Sequence, residues 1–375
     1  MSKSNQIREL IESGGKYSIL SEFNEGANGY AFKAWHRHLE FEVFLKIIDA
    51  DPEVESTFAE PKALLDASAN GDCENLVKLI DAEHLTSDYV MMAMEFIEGG
   101  SLNPVIVGEN TGQHDAIQLA MGVLVGLGRL HSAQFVHRDV KPGNLLLKLT
   151  GTTKIIKVGD FGSVRQIQDD SGQVSASRHS ALYRPKEAWG DNGWFTFTSD
   201  LYQAGVCLYE LVNGPLPYSL QDYLDTTALR ALKTQGLTYA QLNDFEKSQA
   251  VDGCLERRIQ KGKLLEMRSP RPYLSKKLAS IIRKATAVEA VDRYQTAFEF
   301  RNALQALSLP NWRKDGDGYS AEAWRDWDWK VLPSPTGSGI NWDMTRSRCG
   351  ANKFRSFRKG ILDVGTATKM VDDFE

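Results

Sequence analysis

Apolar and polar residues alternate in short runs in the first part of the chain and change to a helical spacing further on. Residues 17–34 read as two strands around a turn, and residues 41–48, 75–80 and 89–94 each read as one more strand. Together these segments predict an antiparallel sheet of about five strands. The residues before the sheet read as a polar leader.

Helical patterns follow the predicted sheet. Residues 116–132 place apolar side chains three and four positions apart, as an amphipathic helix does. That apolar face consists of Ile117, Ala120, Met121, Leu124, Leu127 and Leu130. A later apolar helix passes through Phe298 and Leu304. Between these helices, residues 220–274 have a helical pattern without a recognisable motif, so they are either an enlarged peripheral region or a docking segment.

The composition is that of an ordinary globular protein, with 375 residues of which 42% are hydrophobic and 25% are charged. The net charge of −5 argues against a protein that coats nucleic acid, for which a broad basic face is expected. No run approaches the roughly 18 apolar residues that cross a bilayer, and the first residues lack the apolar core of a secretory signal. We therefore expect a cytoplasmic protein without a membrane span. The four cysteines are scattered without metal-ligand spacing, so any metal should arrive with a nucleotide.

The strongest chemical signal lies in residues 135–147, between the apolar helix and a strand-like leucine triplet. Asp139 could accept a hydroxyl proton, and Lys141 could neutralise a transferring phosphate. Asn144 could offer its amide oxygen to Mg²⁺, which prefers hard ligands. His-x-Asp alone could equally be a structural turn, since Asp, Pro, Gly and Asn are turn residues. The longer pattern, with Asp-Phe-Gly at residues 160–162, favours a phosphoryl-transfer site.

The pattern His-Arg-Asp-x-Lys-Pro-x-Asn, followed by Asp-Phe-Gly, resembles the catalytic loop of eukaryotic-type (Hanks-type) protein kinases of the Ser/Thr branch. The resemblance implies a bilobal α+β fold. Residues 15–97 would form a small lobe with an antiparallel β-sheet and one main helix, which binds the nucleotide. Residues 98–308 would form a larger, mainly helical lobe with the catalytic loop, activation segment and substrate surface. Residues 309–375 form a Trp-rich extension of unknown role.

The resemblance also implies an ATP site. Its residues would be Asn24, Gly26, Gly29, Ala31, Phe44, Lys46, Glu60, Met94, Glu95, Ile97, Leu146 and Asp160. Asn24, Gly26 and Gly29 take the three glycine positions of the loop that covers the phosphates, where small residues let backbone amides come close. Asparagine adopts positive φ more easily than most replacements for the first glycine.

Lys46 lies inside an apolar strand, where an ammonium is costly unless it is paired. By resemblance it should hold the α- and β-phosphates and pair with Glu60 on the next helix, with Glu55 as the reserve partner. Pro61 complicates this pairing, because a proline inside a helix kinks it unless it lies in the first turn. We therefore expect the helix either to start late, around Ala59, or to bend beside Glu60.

Two positions over the adenine depart from the family. The family usually has Val and Ala where this chain has Ala31 and Phe44, an exchange that roughly conserves volume. We interpret it as a compensated roof over the base, with Leu146 as the floor. Met94 would lie at the rear of the pocket. Glu95 and Ile97 would be the hinge residues whose backbone groups bond the adenine edge.

The large lobe would supply the metal ligands and an activation segment. Asn144 and Asp160 would bind Mg²⁺, because two phosphates and a metal must be balanced at close range. The segment after residue 163 is polar, and its candidates for activation phosphorylation are Ser171, Ser175 and Ser177. Arg138 could receive such a phosphate.

Further positions match structural supports of the family. Ser180 matches the hydroxyl that contacts the catalytic Asp and Lys in Ser/Thr kinases. Glu187 should form an ion pair with Arg293. Asp200 should hold the backbone amides of the catalytic loop.

The resemblance therefore implies an ATP- and Mg²⁺-dependent protein kinase that phosphorylates Ser/Thr hydroxyls of protein substrates and autophosphorylates its activation segment. Two alternatives stay open. A small-molecule phosphotransferase typically lacks the equivalents of Arg138, Lys141 and Glu187. A pseudokinase that acts as a scaffold is motivated by the departures in the small lobe.

The tail holds five of the eight tryptophans. So many large apolar rings argue against a simple disordered linker, and we expect them to pack on the large lobe or on a partner. Residues 315–318, Asp-Gly-Asp-Gly, faintly suggest a calcium loop. They lack its fifth-position ligand and central glycine, so we discount that hypothesis.

Overall fold

The structure is a computed structural model that describes residues 2–26, 29–50, 58–69, 71–108, 111–151, 153–169, 171–176, 180–217, 219–265, 274–337, 339–351 and 353–374. Glu55 and Ser177, named above as candidates, lie outside the described residues. None of the described helices combines the length and the apolarity needed to cross a membrane.

The helices in these ranges are α1 (Lys3–Ser13), α2 (Ala59–Ser68), α3 (Asn103–Val107), α4 (Gln113–Ser132), α5 (Phe197–Asn213), α6 (Thr226–Thr234), α7 (Asp244–Gln260), α8 (Lys276–Ala285), α9 (Ala297–Gln305) and α10 (Val364–Asp372). The strands are β1 (Tyr17–Gly26), β2 (Gly29–His36), β3 (Phe41–Asp49), β4 (Leu79–His84), β5 (Tyr89–Glu95), β6 (Phe135–Val136), β7 (Leu145–Thr150), β8 (Thr153–Val158), β9 (Arg165–Gln166), β10 (Val174–Ser175), β11 (Trp194–Phe195), β12 (Asn311–Asp315), β13 (Gly318–Trp324), β14 (Trp327–Thr336), β15 (Gly339–Arg348) and β16 (Arg355–Ile361).

The small lobe is a five-stranded antiparallel sheet in the order β1-β2-β3-β5-β4, which confirms the predicted sheet and the bilobal fold. The prediction for residues 75–80 was partly wrong, because β4 begins only at Leu79. The preceding segment pairs with the large lobe instead. Leu76 forms a parallel bridge to Val158, and the Val77 amide donates to the Val158 carbonyl at 2.9 Å.

Helix α1 was missed, because the polar leader folds into a helix. The Ser2 side chain caps it by accepting from the Asn5 amide at 3.2 Å. Ile7 and Ile11 lie four residues apart and are buried against Phe32 and other apolar residues of the sheet. This spacing and the serine cap were the available signal.

The large lobe is built around α4, which packs against α5, α9 and β8. The predicted helix at residues 116–132 is confirmed, although it begins earlier, at Gln113. Its first turn is capped from the tail, since the Asn311 Oδ1 atom accepts from the His114 amide at 2.9 Å. The α4 helix ends beside β6, which leads directly into the catalytic loop.

The tail is a five-stranded antiparallel sheet, β12 to β16 in sequence order, with α10 packed on one face. Trp312 and Trp329 are fully buried in its own core, to which the other three tail tryptophans also contribute. The expectation that these rings pack on the large lobe or a partner was therefore wrong. Their alternation with polar residues, as at Trp327 and Trp329, was the strand signal that was overlooked. Residues 315–318 form the hairpin turn between β12 and β13.

Candidate active site

The position of α2 decides whether its glutamate can reach the lysine of β3. The helix begins at Ala59, so Pro61 lies in its first turn and costs no helical hydrogen bond. The sequence left two possibilities for Pro61, a helix that starts late or one that bends, and the structure has the helix that starts late. Glu60 is thereby held near the cleft and is almost fully buried.

Lys46, Glu60 and Asp160 form one buried charge cluster. The Lys46 Nζ atom lies 2.9 Å from Glu60 Oε2 and 2.8 Å from Asp160 Oδ1. Burial lowers the pKa of Lys46, but the two carboxylates outweigh that effect and raise it above its ordinary value. Burial raises the pKa of Asp160, but the Lys46 ammonium lowers it by more, so the net shift is downward. The cluster therefore keeps one ammonium and a carboxylate charged at neutral pH.

The Asp-Phe-Gly segment is fixed to α2. The Phe161 amide donates to Glu60 Oε1 at 3.0 Å, and Asp160 adopts a left-handed conformation with φ of 55°. A Cβ on Gly162 would lie 3.2 Å from Lys46 Nζ, so a side chain here would press on the charge cluster. One glutamate thus positions both the lysine and the segment that carries Asp160.

In the catalytic loop, one oxygen of Asp139 is engaged and the other is not. Lys141 Nζ and Asn144 Nδ2 donate to Asp139 Oδ2 at 2.9 and 3.1 Å. Asp139 Oδ1 is buried and has no hydrogen-bond partner among the described residues. A buried carboxylate oxygen without a donor is costly, and it is the group a substrate hydroxyl could bind.

Lys141 joins the catalytic loop to the activation segment. Its ammonium also donates to Ser180 Oγ at 2.8 Å. The structure therefore brings together Asp139, Lys141 and Ser180, as the sequence predicted.

A buried carboxylate, Asp200, anchors the backbone of the catalytic loop. It accepts from the His137 and Arg138 amides, each at 2.8 Å, as expected. His131 Nε2 lies 2.8 Å from the same carboxylate, and Gln203 Oε1 accepts from the Val140 amide at 2.9 Å. These last two supports were not found from the sequence. Gln203 lies three residues after Asp200 on the same buried helix, which was the available signal.

Arg138 is turned toward the activation segment. It is buried and donates to the carbonyls of Ser163 and Ser175 at 2.5 and 2.6 Å. Burial, with repulsion from Arg165, lowers the pKa of Arg138 to about 10. Its binding of a phosphate stays a prediction. The exposed Ser171 and Ser175 lie on the same segment.

Glu187 and Arg293 form the expected ion pair at the end of the activation segment. Arg293 Nη1 and Nη2 donate to the two carboxylate oxygens at 2.7 and 2.8 Å. Ser199 Oγ donates to Glu187 Oε1 at 2.7 Å. The pair is almost completely excluded from solvent.

The glycine-rich turn approaches β3 closely. Gly29 has φ of 113°, and a Cβ there would lie 2.1 Å from the Ile47 carbonyl oxygen. Gly26 pairs with Gly29 across the hairpin, and Asn24 belongs to the same strand, β1. Only glycine fits at position 29.

The hinge is anchored by an ion pair that the sequence did not reveal. Lys157 is buried, and its Nζ lies 2.6 Å from Glu95 Oε1. The Glu95 amide donates to the Lys78 carbonyl at 3.0 Å, which ties the hinge to the segment before β4. Met94 and Ile97 are buried on either side.

Comparison with known proteins agrees with this geometry. A family model described as protein kinase domain matches residues 17–305. A probable serine/threonine-protein kinase of Clostridium perfringens is 26% identical over 300 residues, which is 78% of this chain and 38% of that protein. One of Bifidobacterium longum is 28% identical over 308 residues, 78% of this chain and 39% of that protein. A putative serine/threonine-protein kinase of Trypanosoma brucei brucei is 32% identical over 200 residues, 50% of this chain and 44% of that protein. The chain thus spans less than half the length of these relatives.

Proposed function

Since this chain belongs to the protein kinase family, we propose that it transfers the γ-phosphoryl group of ATP to Ser/Thr hydroxyls of protein substrates. The observation that carries the proposal is the buried Asp139 Oδ1 atom, which has no hydrogen-bond partner in the described part of the chain, on the carboxylate that Lys141 contacts. An acceptor for a hydroxyl proton and a cation for the phosphoryl group are what this transfer needs.

Asp139 would bind the acceptor hydroxyl through Oδ1 and take its proton as the oxygen attacks phosphorus. Lys141 stays 2.9 Å from Asp139 Oδ2, where it would balance charge on the transferring phosphoryl group. Its second contact, to Ser180, keeps the ammonium in place during the transfer. The hydroxyl oxygen gains the phosphoryl group, and ADP leaves with the electrons of the broken bond.

Asn144 and Asp160 are the residues that would hold Mg²⁺. A carboxylate and a carboxamide oxygen fit the ligand preference of this ion. The Asn144 amide nitrogen donates to the Asp139 carbonyl at 2.8 Å, which leaves its oxygen as the metal-binding atom. When bound, the ion would neutralise phosphate charge, while Lys46 would hold the α- and β-phosphates.

Autophosphorylation of the activation segment is part of the proposal. Ser171 and Ser175 are exposed, and Arg138 lies beside Ser175, where a phosphate could replace the carbonyl contacts of the guanidinium. Phosphopeptide mapping after incubation with Mg-ATP should find phosphate at one of these serines.

Incubation of the purified chain with Mg-ATP and a generic protein acceptor tests the function. Asp139→Asn should reduce phosphate transfer by about 10²- to 10⁴-fold, because it removes the proton acceptor. Asp88→Asn, the same change at an exposed turn between β4 and β5, is the matched control and should keep full activity. Absence of both phosphate transfer and nucleotide binding would favour the pseudokinase scaffold. Transfer only to small molecules would favour the small-molecule phosphotransferase.

A further inference from the structure

The two edges of the tail sheet have different surroundings. β12 adjoins the large lobe through α4, whereas β16 is the last strand of the sheet and pairs only with β15 in the described part of the chain. Neighbouring strands are about 4.8 Å apart, so β16 lies roughly 19 Å from the edge next to the lobe. Residues 355–360 of β16 are all exposed, whichever face their side chains leave. This edge is therefore accessible to another chain.

The hairpin formed by β15 and β16 is strongly basic in a chain whose net charge is −5. Residues 344–361 contain six basic residues and no acidic one, namely Arg346, Arg348, Lys353, Arg355, Arg358 and Lys359. Among the described residues, these side chains form one ion pair, in which Arg348 Nη1 lies 4.0 Å from Asp326 Oδ2. Both partners of this pair are largely exposed, so it neutralises little of the charge.

Arg346 lies among aromatic rings beside this edge. Its Cζ atom is 4.0 Å from the centroid of Trp327, 4.6 Å from that of Phe357 and 5.1 Å from that of Phe374. Ring faces attract a cation but do not replace the oxygen acceptors that a guanidinium fork binds. Arg346 Nη1 is buried and has no hydrogen-bond partner among the described residues. The residue as a whole is half-buried, so the rest of its fork can meet a ligand.

A second arginine faces the first one across the strand pair. Arg355 lies directly opposite Arg346 in the β15–β16 register. Like charges in this arrangement destabilise a sheet, and an anion bound to both would remove the repulsion. Phe357 follows Arg355 by two residues, leaves the same face and is 37% exposed. The face thus offers two guanidinium groups beside a partly exposed ring.

Protection of the edge explains only part of this charge. Basic side chains on an edge strand prevent pairing with other sheets, and Arg358 and Lys359 fit that role. Arg346 does not, because it belongs to β15, which is already paired on both sides. A guanidinium placed among rings and opposite another guanidinium indicates a site for an anion.

We propose that the β15–β16 edge of the tail binds an extended acidic segment of a partner protein, which adds to β16 as a sixth strand. The open backbone of β16 would supply hydrogen bonds, and Arg346, Arg348 and Arg355 would bind carboxylates of the segment. A peptide uses both the strand edge and the charges, whereas nucleic acid or lipid uses the charges alone. The site lies outside residues 17–305, which the kinase family model matches, so it does not depend on the proposed function.

Two labelled peptides of equal length and composition test the strand addition. One alternates Glu and Thr, so that all its carboxylates leave one face of a strand, and the other repeats Glu-Glu-Thr-Thr, which divides them between both faces. Fluorescence anisotropy with the full chain should show that the alternating peptide binds about tenfold more tightly. Equal affinities, or no binding of either peptide, would overturn the proposal.

Substitutions in the hairpin test the residues. Arg346→Lys, which keeps the charge but loses the fork, and Arg355→Gln should each weaken binding of the alternating peptide by about tenfold. Arg355→Gln removes a like-charge contact, so Tm without peptide should stay the same or rise, which separates lost binding from lost folding. Unchanged affinity in both variants would refute the assignment.

The matched control is Arg313→Gln, the same change on β12 at the other edge of the tail sheet, where the arginine pairs with Glu322. This variant should bind the peptide with wild-type affinity. An equal loss there would show that net charge alone attracts the peptide.

Two other probes decide between classes of partner. A labelled oligouridylate and vesicles that contain phosphatidylserine carry negative charge without a peptide backbone. Both should bind the full chain more weakly than the alternating peptide. Tighter binding of either probe, reduced by Arg355→Gln, would overturn the peptide proposal and assign the edge to nucleic acid or to a membrane surface.

Discussion

The Glu187–Arg293 pair allows a test of how strongly a buried ion pair holds the activation segment. Glu187→Gln keeps the shape of the side chain but removes its charge. Arg293 would then stay charged and buried, with its remaining contacts to carbonyls, such as the 2.8 Å bond from Nε to Ala287. Leaving one charge of a buried pair without its partner costs about 3–5 kcal/mol. This loss is a large part of the free energy of unfolding of an ordinary protein, which is about 5–15 kcal/mol.

Thermal unfolding followed by circular dichroism would measure this loss, and we expect Tm to fall by about 5 °C in a chain of this length. The matched control is Glu289→Gln, which removes a carboxylate from the neighbouring Lys186–Glu289 pair. The side chains of that pair are 39% and 55% exposed, and such pairs contribute at most about 1 kcal/mol. If both substitutions lowered Tm equally, burial would not be the reason for the strength of the first pair.

Three further results are expected. Burial raises the pKa of Asp372 to about 6. The ionised carboxylate therefore destabilises the fold above that pH, and this effect disappears as the pH falls toward the pKa of the unfolded chain. Asp372→Asn should raise stability by about 1 kcal/mol at pH 7.5, after allowance for partial exposure, and by nothing at pH 4 in parallel melts. Gly29→Ala should lower Tm by several degrees, because its Cβ would clash with a carbonyl of β3. Gly337→Ala should not, because a Cβ there would meet no atom of the described residues within 4 Å. Asn311→Ala should cost about 1 kcal/mol in urea unfolding by removing the cap on His114, and Asn311→Asp should restore it; equal losses for both would argue against capping.

The sequence was most informative where function depends on residues close together along the chain. Asp139, Lys141 and Asn144 lie within six positions, so their spacing alone indicated a shared site. The Lys46–Glu60 pair required the resemblance, since nothing local distinguishes that lysine from one that faces solvent. The structure then resolved the question of Pro61 through the start of α2.

Other features could not be read from the sequence because tertiary contacts decide them. His131 and Lys157 are ordinary polar residues until the fold buries them beside Asp200 and Glu95. The tail tryptophans were expected to need another surface to pack on. They instead pack beneath one sheet, which requires pairing of five strands whose individual patterns are weak.

The cap that Asn311 places on α4 has a mechanical consequence. A helix of 20 residues is a rod about 30 Å long. One end of this rod carries the joint with the tail, and the other end adjoins the strand that enters the catalytic loop. The tail and the strand that leads to Asp139 therefore contact opposite ends of a single helix, so α4 is the shortest structural connection between them.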